Sequence, residues 1–203
     1  REGIVKALVQ GESIVVNSLC FPSQFGCTQD VPTYDYNPEK AKKLLAEAGY
    51  PNGFETPFLA YRNRDYAEAM INNLNAVGIT AKFEYLKYAA FRDKVQSGGA
   101  PFNFGTWGSY SINDVSAITS HFQSGGKDDY SKDPEVIKQL GIGDTSVDAN
   151  VRKAAYKAAL SRISGEAFMF PLWSYNTWYA FSKDVDFNPT PDEIPRFFTA
   201  KWM

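Results

Sequence analysis

Apolar residues recur three and four positions apart in several stretches of the 203-residue chain, which predicts amphipathic helices. The clearest helix begins at Asn37-Pro38, because asparagine is a good N-cap and proline suits the first helical position. It ends at Gly49, since glycine readily adopts the left-handed conformation that stops a helix. The same spacing predicts further helices over residues 1–8, 65–77, 89–97, 116–122, 134–140 and 148–167. In the last of these, the side chains expected to face the core are Val151, Ala154, Ala155, Ala158 and Ile163.

Strands are predicted where apolar and polar residues alternate with a period of two. These stretches are residues 79–85, 102–107, 168–173 and 178–182. Short strands joined by a helix favour parallel neighbours through a right-handed crossover. We therefore expect strands 79–85 and 102–107 to lie side by side. The alternation of helices and strands predicts an α/β protein with helices packed outside its sheet.

Composition and charge narrow the class of protein. The 21 basic and 23 acidic side chains leave a net charge of −2, which gives no general attraction to nucleic acid or anionic membranes. No apolar run approaches the roughly 18 to 20 residues that span a bilayer. We therefore expect no nucleic-acid partner and no membrane-embedded segment. Aromatic residues make up 15% of the chain, which favours a recognition surface that contains aromatic rings.

Cys20 and Cys27 flank a hexapeptide in which Pro22 and Gly26 favour a turn. A turn brings the ends within the short Cα separation that a disulfide needs. A disulfide would indicate an oxidising compartment, and two unpaired buried cysteines are the alternative. A metal site is not expected, because no further cysteine or histidine lies nearby in the sequence.

Residues that would support catalysis are scarce. The single histidine, His121, lies on a predicted helix, and no serine or cysteine stands in a nucleophile-elbow setting. The pairs Gly98-Gly99 and Gly125-Gly126 lack the flanking residues of phosphate-binding loops. The sequence thus predicts no catalytic residue, metal ligand or cofactor, although an α/β-type hydrolase or transferase stays open as an alternative.

The stretch that follows the predicted 102–107 strand is the best candidate for a binding site, because ligands of α/β proteins sit outside the carboxyl ends of strands. Its residues offer flat aromatic faces, close approach to the backbone, and hydrogen bonds; they are Trp107, Gly108, Ser109, Tyr110 and Asn113. Two alternatives stay open. Asp114 either caps the following helix or contacts a cationic ligand group, and Trp107 either packs in the core or contacts the ligand.

A family resemblance is carried by residues 35–50, which read DYNPEKAKKLLAEAGY. They resemble the helix motif Y-D-P-E-K-A-K-x-L-L-x-E-A-G of solute-binding family 5, the peptide-, nickel-, opine- and oligosaccharide-binding components of ABC transporters. Residues 1–8, 71–80 and 170–173 are similar to further segments of this family, in the same order. The resemblance implies the C-terminal lobe of a two-lobed, class II periplasmic-binding-protein fold, with a mixed sheet flanked by helices. Residues 1–172 would form that lobe, and residues 173–203 would be a return crossing and tail that belong to the N-terminal lobe.

The resemblance also implies which residues line the ligand cleft. Tyr88 and Trp107 stand where the family places cleft aromatics, just beyond two successive strands. Arg62 or Arg64 is expected to hold a ligand carboxylate. Trp173 lies where the return crossing passes the cleft.

Family members that bind dipeptides carry the motif G-D-x-x-D-P, whose first aspartate holds the α-amine of the ligand. This chain has Ser109 after Gly108 and only Asp114 near the second aspartate, so the motif does not imply simple dipeptide binding. The family function is capture of a peptide-like or other small solute for delivery to the permease subunits of an ABC importer. The resemblance implies a monomeric, exported periplasmic protein, and a sensor domain that reuses the fold is a further alternative. Because the chain begins inside a predicted helix without an N-cap, we expect a piece of a longer protein whose signal peptide lies outside it.

Overall fold

The structure is a computed structural model that describes residues 1–9, 11–108, 112–190 and 194–203. The chain divides into two compact units. Unit 1 contains Arg1–Pro32, Trp107–Ser124 and Ser131–Met203, and unit 2 contains Thr33–Thr106 and Gly125–Tyr130. The predicted division at residues 172 and 173 concerns the lobes of a longer protein and stays a prediction.

Unit 2 contains a three-stranded parallel sheet with helices between its strands. In chain order its elements are α2 (Pro38–Glu47), β1 (Phe54–Ala60), α3 (Arg64–Asn75), β2 (Ile79–Tyr85), α4 (Tyr88–Gln96) and β3 (Asn103–Phe104). Helix α2 begins as predicted, because the Asn37 side chain accepts a hydrogen bond from the backbone N–H of Lys40. The α/β class is confirmed, but this sheet is parallel rather than mixed.

The strand order is β2-β1-β3, so β2 and β3 both pair with β1 and not with each other. The expected side-by-side placement of residues 79–85 and 102–107 was therefore wrong. The sequence reading missed β1 because Pro57 lies in its middle, and proline is rare in a central strand. The N–H of Leu59 donates to Phe102 O on the β3 side. The nitrogen of Pro57, two residues earlier, faces the same side, where β3 has not yet begun, so no ladder hydrogen bond is lost.

Helices α3 and α4 cover opposite faces of this sheet. On one face Phe58 of β1 packs against Phe83 of β2, and Arg64 of α3 lies over the Phe83 ring. On the other face Leu59 packs with Phe91 and Val95 of α4. The sheet is thus buried on both sides, as parallel sheets usually are.

Unit 1 is mainly helical. Its elements are α1 (Glu2–Ala7), α5 (Ser116–Phe122), α6 (Pro134–Thr145), α7 (Ala149–Gly165), and a short antiparallel pair of β4 (Val185–Asp186) and β5 (Lys201–Trp202). A 3-10 turn at Phe197–Thr199 precedes β5. Cys20 and Cys27 form a disulfide with their Cα atoms 5.7 Å apart. The core of unit 1 contains Leu19, Cys20, Val115, Val136, Leu140, Tyr156, Ala159, Leu160 and Ile163. None of the helices in the described part of the chain is long and apolar enough to cross a membrane.

One prediction for unit 1 was right in part, and another was wrong. Helix α7 buries the predicted Ala155 and Ile163 together with Tyr156 and Leu160, whereas the predicted Val151, Ala154 and Ala158 are exposed. Alanine fits either face of a helix, so the large Tyr156 and Leu160 side chains decide its orientation. Residues 168–173 and 178–182 form no strand; within them, Trp173 forms an isolated antiparallel bridge to Val15. Aromatic residues favour strands only where a neighbouring surface packs against them.

Candidate functional site

The carboxyl edge of the parallel sheet in unit 2 has the topology of a ligand-binding crevice. The chain leaves β1 through α3 to β2 on one side, and β3 lies on the other side of β1. In open α/β sheets, ligands bind outside the carboxyl ends of the strands, where connections to neighbouring strands diverge. The residues that follow β1 and β3 are therefore the first candidates for a ligand-binding site.

Three of these residues are joined by hydrogen bonds. Tyr61 and Arg62 follow β1, and Thr106 comes two residues after β3. The Tyr61 hydroxyl lies 2.9 Å from Thr106 Oγ1, and Arg62 Nη1 donates to the same oxygen at 2.8 Å. The threonine hydroxyl thus ties the end of β3 to the loop that follows β1.

The exposed ring of Tyr88 lies beside these groups and packs against the ring of Tyr61. Tyr88 is the first residue of α4 and follows β2 after two residues. Its ring centroid lies 5.0 Å from that of Tyr61, and Tyr61 in turn contacts the buried Phe91 ring at 4.9 Å. Tyr88 keeps 59% of its surface exposed. The edge therefore presents an open aromatic face supported by packed rings from below.

The two arginines proposed for a carboxylate differ in their surroundings. Arg64 donates from Nε to Glu68 Oε1 at 2.7 Å, one turn along α3. Arg62 is exposed, and no carboxylate of the described residues lies within salt-bridge distance of its guanidinium. Of the pair, Arg62 is the arginine that follows β1 and has no carboxylate partner among the described residues.

Trp107 and Gly108 belong to unit 1, where both are half-buried. The Trp107 ring stacks on His121 with centroids 4.4 Å apart and meets Phe122 edge-on at 5.1 Å. Because β2 and β3 are not neighbours, the strand order alone gives no reason for the Tyr88 and Trp107 rings to emerge side by side. The contact of Trp107 with a ligand stays a prediction.

Asp114 is engaged by groups of its own unit. Its Oδ1 accepts from the backbone N–H of Ser116 at 3.0 Å, and its Oδ2 accepts from Arg152 Nη2 at 2.7 Å. The Tyr156 hydroxyl lies 3.3 Å from Oδ1 and donates to Asp144 at 2.8 Å. Burial by itself would raise the pKa of Asp114, but the bonds from Ser116 and Arg152 outweigh it and the pKa falls below its ordinary value. The N-cap of α5 is Val115, and Asp114, one residue earlier, binds the N–H of Ser116 at the start of the helix. The contact of Asp114 with a ligand stays a prediction.

The remaining predicted site residues are less accessible or lie outside the described residues. The backbone oxygen of Asn113 accepts from Phe25, while its side chain is exposed. Trp173 is only 7% exposed, so little of its ring is open to a ligand in this chain. Ser109 and Tyr110 lie outside the described residues.

Sequence reasoning missed Tyr61 and Thr106. The two residues stand at the carboxyl ends of adjacent strands, and the sequence pattern did not predict β1, the first of these strands. The available signal was the apolar run Phe58-Leu59-Ala60 followed by Tyr61, placed between two predicted helices at the spacing of a βαβ unit.

Comparison with known proteins defines the class. The chain belongs to the bacterial extracellular solute-binding proteins, family 5, since the model for the middle part of that family matches residues 1–129. It is 45% identical to heme-binding protein A of Haemophilus influenzae over 58 residues, which are 29% of this chain and 11% of that protein. It is 36% identical to the dipeptide-binding protein of Escherichia coli over an alignment of 103 positions, which covers 44% of this chain and 19% of that protein.

The fold is shared with solved binding proteins. The structure of HbpA2 from Haemophilus parasuis superposes on the whole chain with a TM-score of 0.85 and 25% identity. The chain covers 42% of that protein. It therefore spans less than half of the length of the proteins that it matches.

Proposed function

We propose that this chain contributes a ligand-binding surface to a solute-binding protein that delivers its ligand to an ABC importer. Residues 1–172 would form most of one lobe, and residues 173–203 would return to the other. The observation that carries the proposal is the hydrogen-bonded group of Tyr61, Arg62 and Thr106 at the carboxyl ends of β1 and β3. Solute binding by family 5 members supports it.

The side chains at this edge suit a ligand with a carboxylate beside a flat or apolar group. Arg62 offers a planar guanidinium without a carboxylate partner among the described residues, and such a group binds carboxylates in a bidentate fashion. Tyr88 offers the apolar face. The two relatives above are named for binding heme and a dipeptide, and a third, of Escherichia coli, 34% identical to 40% of this chain, is named for binding glutathione. Each of these solutes carries at least one carboxylate.

Asp114 is not assigned a ligand contact in this proposal. Its carboxylate already accepts hydrogen bonds from Ser116 and Arg152, so a ligand amine would have to displace an arginine. A solute recognised chiefly through its carboxylate fits these residues better than one recognised through its amine.

Substitution of Arg62 tests the proposal. Calorimetric titration of the full-length protein with hemin, glutathione and Met-Leu identifies which of these solutes binds. Arg62→Gln should weaken that binding about tenfold or more, because it removes a charge-assisted bond. Arg64→Gln is the matched control, since its charge is paired with Glu68, and it should change the affinity by less than about twofold. Equal affinities of the Arg62 variant and the wild type would refute the role of Arg62, and the absence of any binding to the three solutes would count against the function itself.

The periplasm is the compartment that the proposal requires, with the permease of an ABC importer as partner. The Cys20–Cys27 disulfide supports an oxidising compartment. Protein recovered from the periplasm should show no reactive thiol under denaturing, non-reducing conditions, and two thiols per chain would contradict this part. Membership of a family of solute-binding proteins favours binding over the hydrolase or transferase alternative.

A further inference from the structure

The loop closed by the Cys20–Cys27 disulfide lies against the segment 112–115. The N–H of Phe25 donates to Asn113 O at 3.0 Å, and the N–H of Val115 donates to Phe25 O at 3.0 Å. These two bonds form an isolated parallel bridge between Phe25 and Asp114. The segment therefore gains backbone partners from a loop that lies about ninety residues earlier in the chain.

The side chain of Gln24 reinforces this contact. Gln24 is 9% exposed, and its Nε2 donates to Ile112 O at 3.3 Å. Its Oε1 accepts from the backbone N–H of Phe21 at 2.9 Å, which also fixes the turn of the loop. One buried amide thus links the turn to the segment, and both of its polar ends are satisfied.

Arg152 of α7 attaches the same contact to the helical core. Its Nη2 donates to Asp114 Oδ2 at 2.7 Å, and its guanidinium lies over the Phe25 ring, 4.7 Å from the centroid. Its Nε donates to the backbone oxygen of Gly143 at 2.8 Å. Arg152 therefore holds both partners of the bridge at once.

Gly26 lets the disulfide loop pack closely against Tyr156 of helix α7. Gly26 has a φ of +79°, and a Cβ there would lie 2.4 Å from the Tyr156 ring. A loop of this length without a helix or strand would sample many conformations if its ends were free, and the disulfide restricts them. The covalent closure is thus what keeps Gln24 and Phe25 in reach of the segment.

We propose that the disulfide loop is a positioning device for residues 112–115, which include the predicted ligand-contacting residue Asn113. Gln24, Phe25 and Arg152 are its positioning residues and need not touch the ligand. The consequence for ligand binding rests on the proposed function, whereas the holding of the segment does not.

Amide hydrogen exchange of the full-length protein tests the holding directly. In the Cys20→Ser, Cys27→Ser double variant, the amides of Phe25 and Val115 should exchange about tenfold faster or more, because their bonds open locally. The amide of Leu59 in unit 2 should keep its rate. Unchanged protection of Phe25 and Val115 would overturn the proposal.

A second variant covers the case in which the double variant fails to fold. Gln24→Ala leaves the disulfide intact and should still accelerate exchange at Val115 severalfold, since it removes the amide link to Ile112. Lys157→Gln is the control, because Lys157 lies on the same helix as Arg152 and the substitution breaks its exposed ion pair with Asp30. Faster exchange at Val115 in the control as well as in Gln24→Ala would show general loosening and overturn the proposal.

Titration of the same variants with ligand separates the holding of the segment from its consequence for ligand binding. With whichever of hemin, glutathione or Met-Leu binds the wild type, Gln24→Ala should lower the affinity severalfold through faster dissociation. Faster exchange with unchanged affinity would overturn the positioning role. If the wild type binds none of the three, the proposed function fails, and the exchange rates still decide whether the loop holds the segment.

Discussion

Arg62 in unit 2 and Arg152 in unit 1 carry the same charge in opposite surroundings. Arg152 reaches the carboxylate of Asp114, the Tyr156 hydroxyl at 3.0 Å and the Gly143 backbone oxygen. Arg62 reaches a neutral threonine hydroxyl and lies over the Tyr61 ring. A guanidinium whose donors already meet a carboxylate maintains the fold, whereas one that meets only neutral groups at a strand's carboxyl edge is available to an anionic ligand.

The surroundings of Arg152 explain why its role is structural. Tyr156 is fully buried, and its hydroxyl donates to Asp144. Burial is the main reason why the pKa of Tyr156 rises to about 12. In such a network each polar group depends on its neighbours, so the loss of one leaves others buried without a partner.

Removal of each charge should therefore affect stability very differently. Arg152→Met should lower the free energy of unfolding by about 2 to 3 kcal/mol, because it leaves the partly buried Asp114 carboxylate without its cation. Arg62→Met should lower it by less than about 0.5 kcal/mol, as is usual for an exposed residue. Urea denaturation of both variants measures the difference, and similar losses would show that the contrast is false.

Replacement of Trp107 decides between its two open roles. Trp107→Ala in the full-length protein should weaken ligand binding by about 1 to 3 kcal/mol, the range for a buried aromatic anchor. If the ring faces a ligand, the melting temperature should fall little. Melting and affinity measured on the same variant settle the matter: a large drop in melting temperature with unchanged affinity would mean that stacking on His121 is structural.

Tyr88 can be compared with an aromatic pair at the other end of the same sheet. Tyr88→Ala should weaken ligand binding by about 1 to 2 kcal/mol, since it removes an exposed ring from the carboxyl edge of the sheet. The matched control is Tyr50→Ala, because the half-exposed Tyr50 pairs with Phe54 at the amino end of β1 with centroids 5.1 Å apart. Both variants should lose a similar small amount of stability. An affinity loss in Tyr50→Ala equal to that in Tyr88→Ala would place the site elsewhere.

The sequence predicted helices better than strand neighbours, for a physical reason. Helix α5 lies at residues 116–122 as predicted, because a helix depends on local spacing alone. The position of β1 between β2 and β3 depends on long-range pairing, and Pro57 concealed the strand. With β1 missing, Tyr61 and Thr106 had no reason to be grouped.

Part of the candidate site was nevertheless open to local reasoning. Arg64 and Glu68 are four residues apart on a predicted helix, a spacing that favours an ion pair. This spacing alone would have favoured Arg62 as the available arginine. The choice between the two roles of Asp114 was different, because Arg152 lies 38 residues further along the chain and no local rule connects them.

A third arginine sharpens the comparison through its pH dependence. Arg162 of α7 donates from Nε and Nη2 to the two carboxylate oxygens of Asp133, at 2.8 and 2.6 Å. Asp133 is also the N-cap of α6 and accepts from the N–H groups of Glu135 and Val136. The bond to Arg162 is the main reason why the pKa of Asp133 falls from 3.8 to about 2. Arg162 thus pairs with a carboxylate of its own chain, whereas Arg62 has no such partner in the part of the chain that the structure describes.

A lowered pKa stabilises the folded state only while the carboxylate is ionised. The contribution of Asp133 is fully present above the unfolded-state pKa near 3.8 and is lost as the pH falls through about 2. Asp133→Asn should therefore be less stable than the wild type at pH 7, and the gap should close between pH 4 and pH 2. Asp148→Asn at the N-cap of α7 is the control, because asparagine caps a helix about as well as aspartate and this cap has no arginine partner among the described residues. Thermal melts of the three proteins across this range measure the gap. A gap that stays constant down to pH 2 would mean that the Arg162 pair adds nothing beyond the cap, and pairing with a carboxylate would then no longer distinguish Arg162 from Arg62.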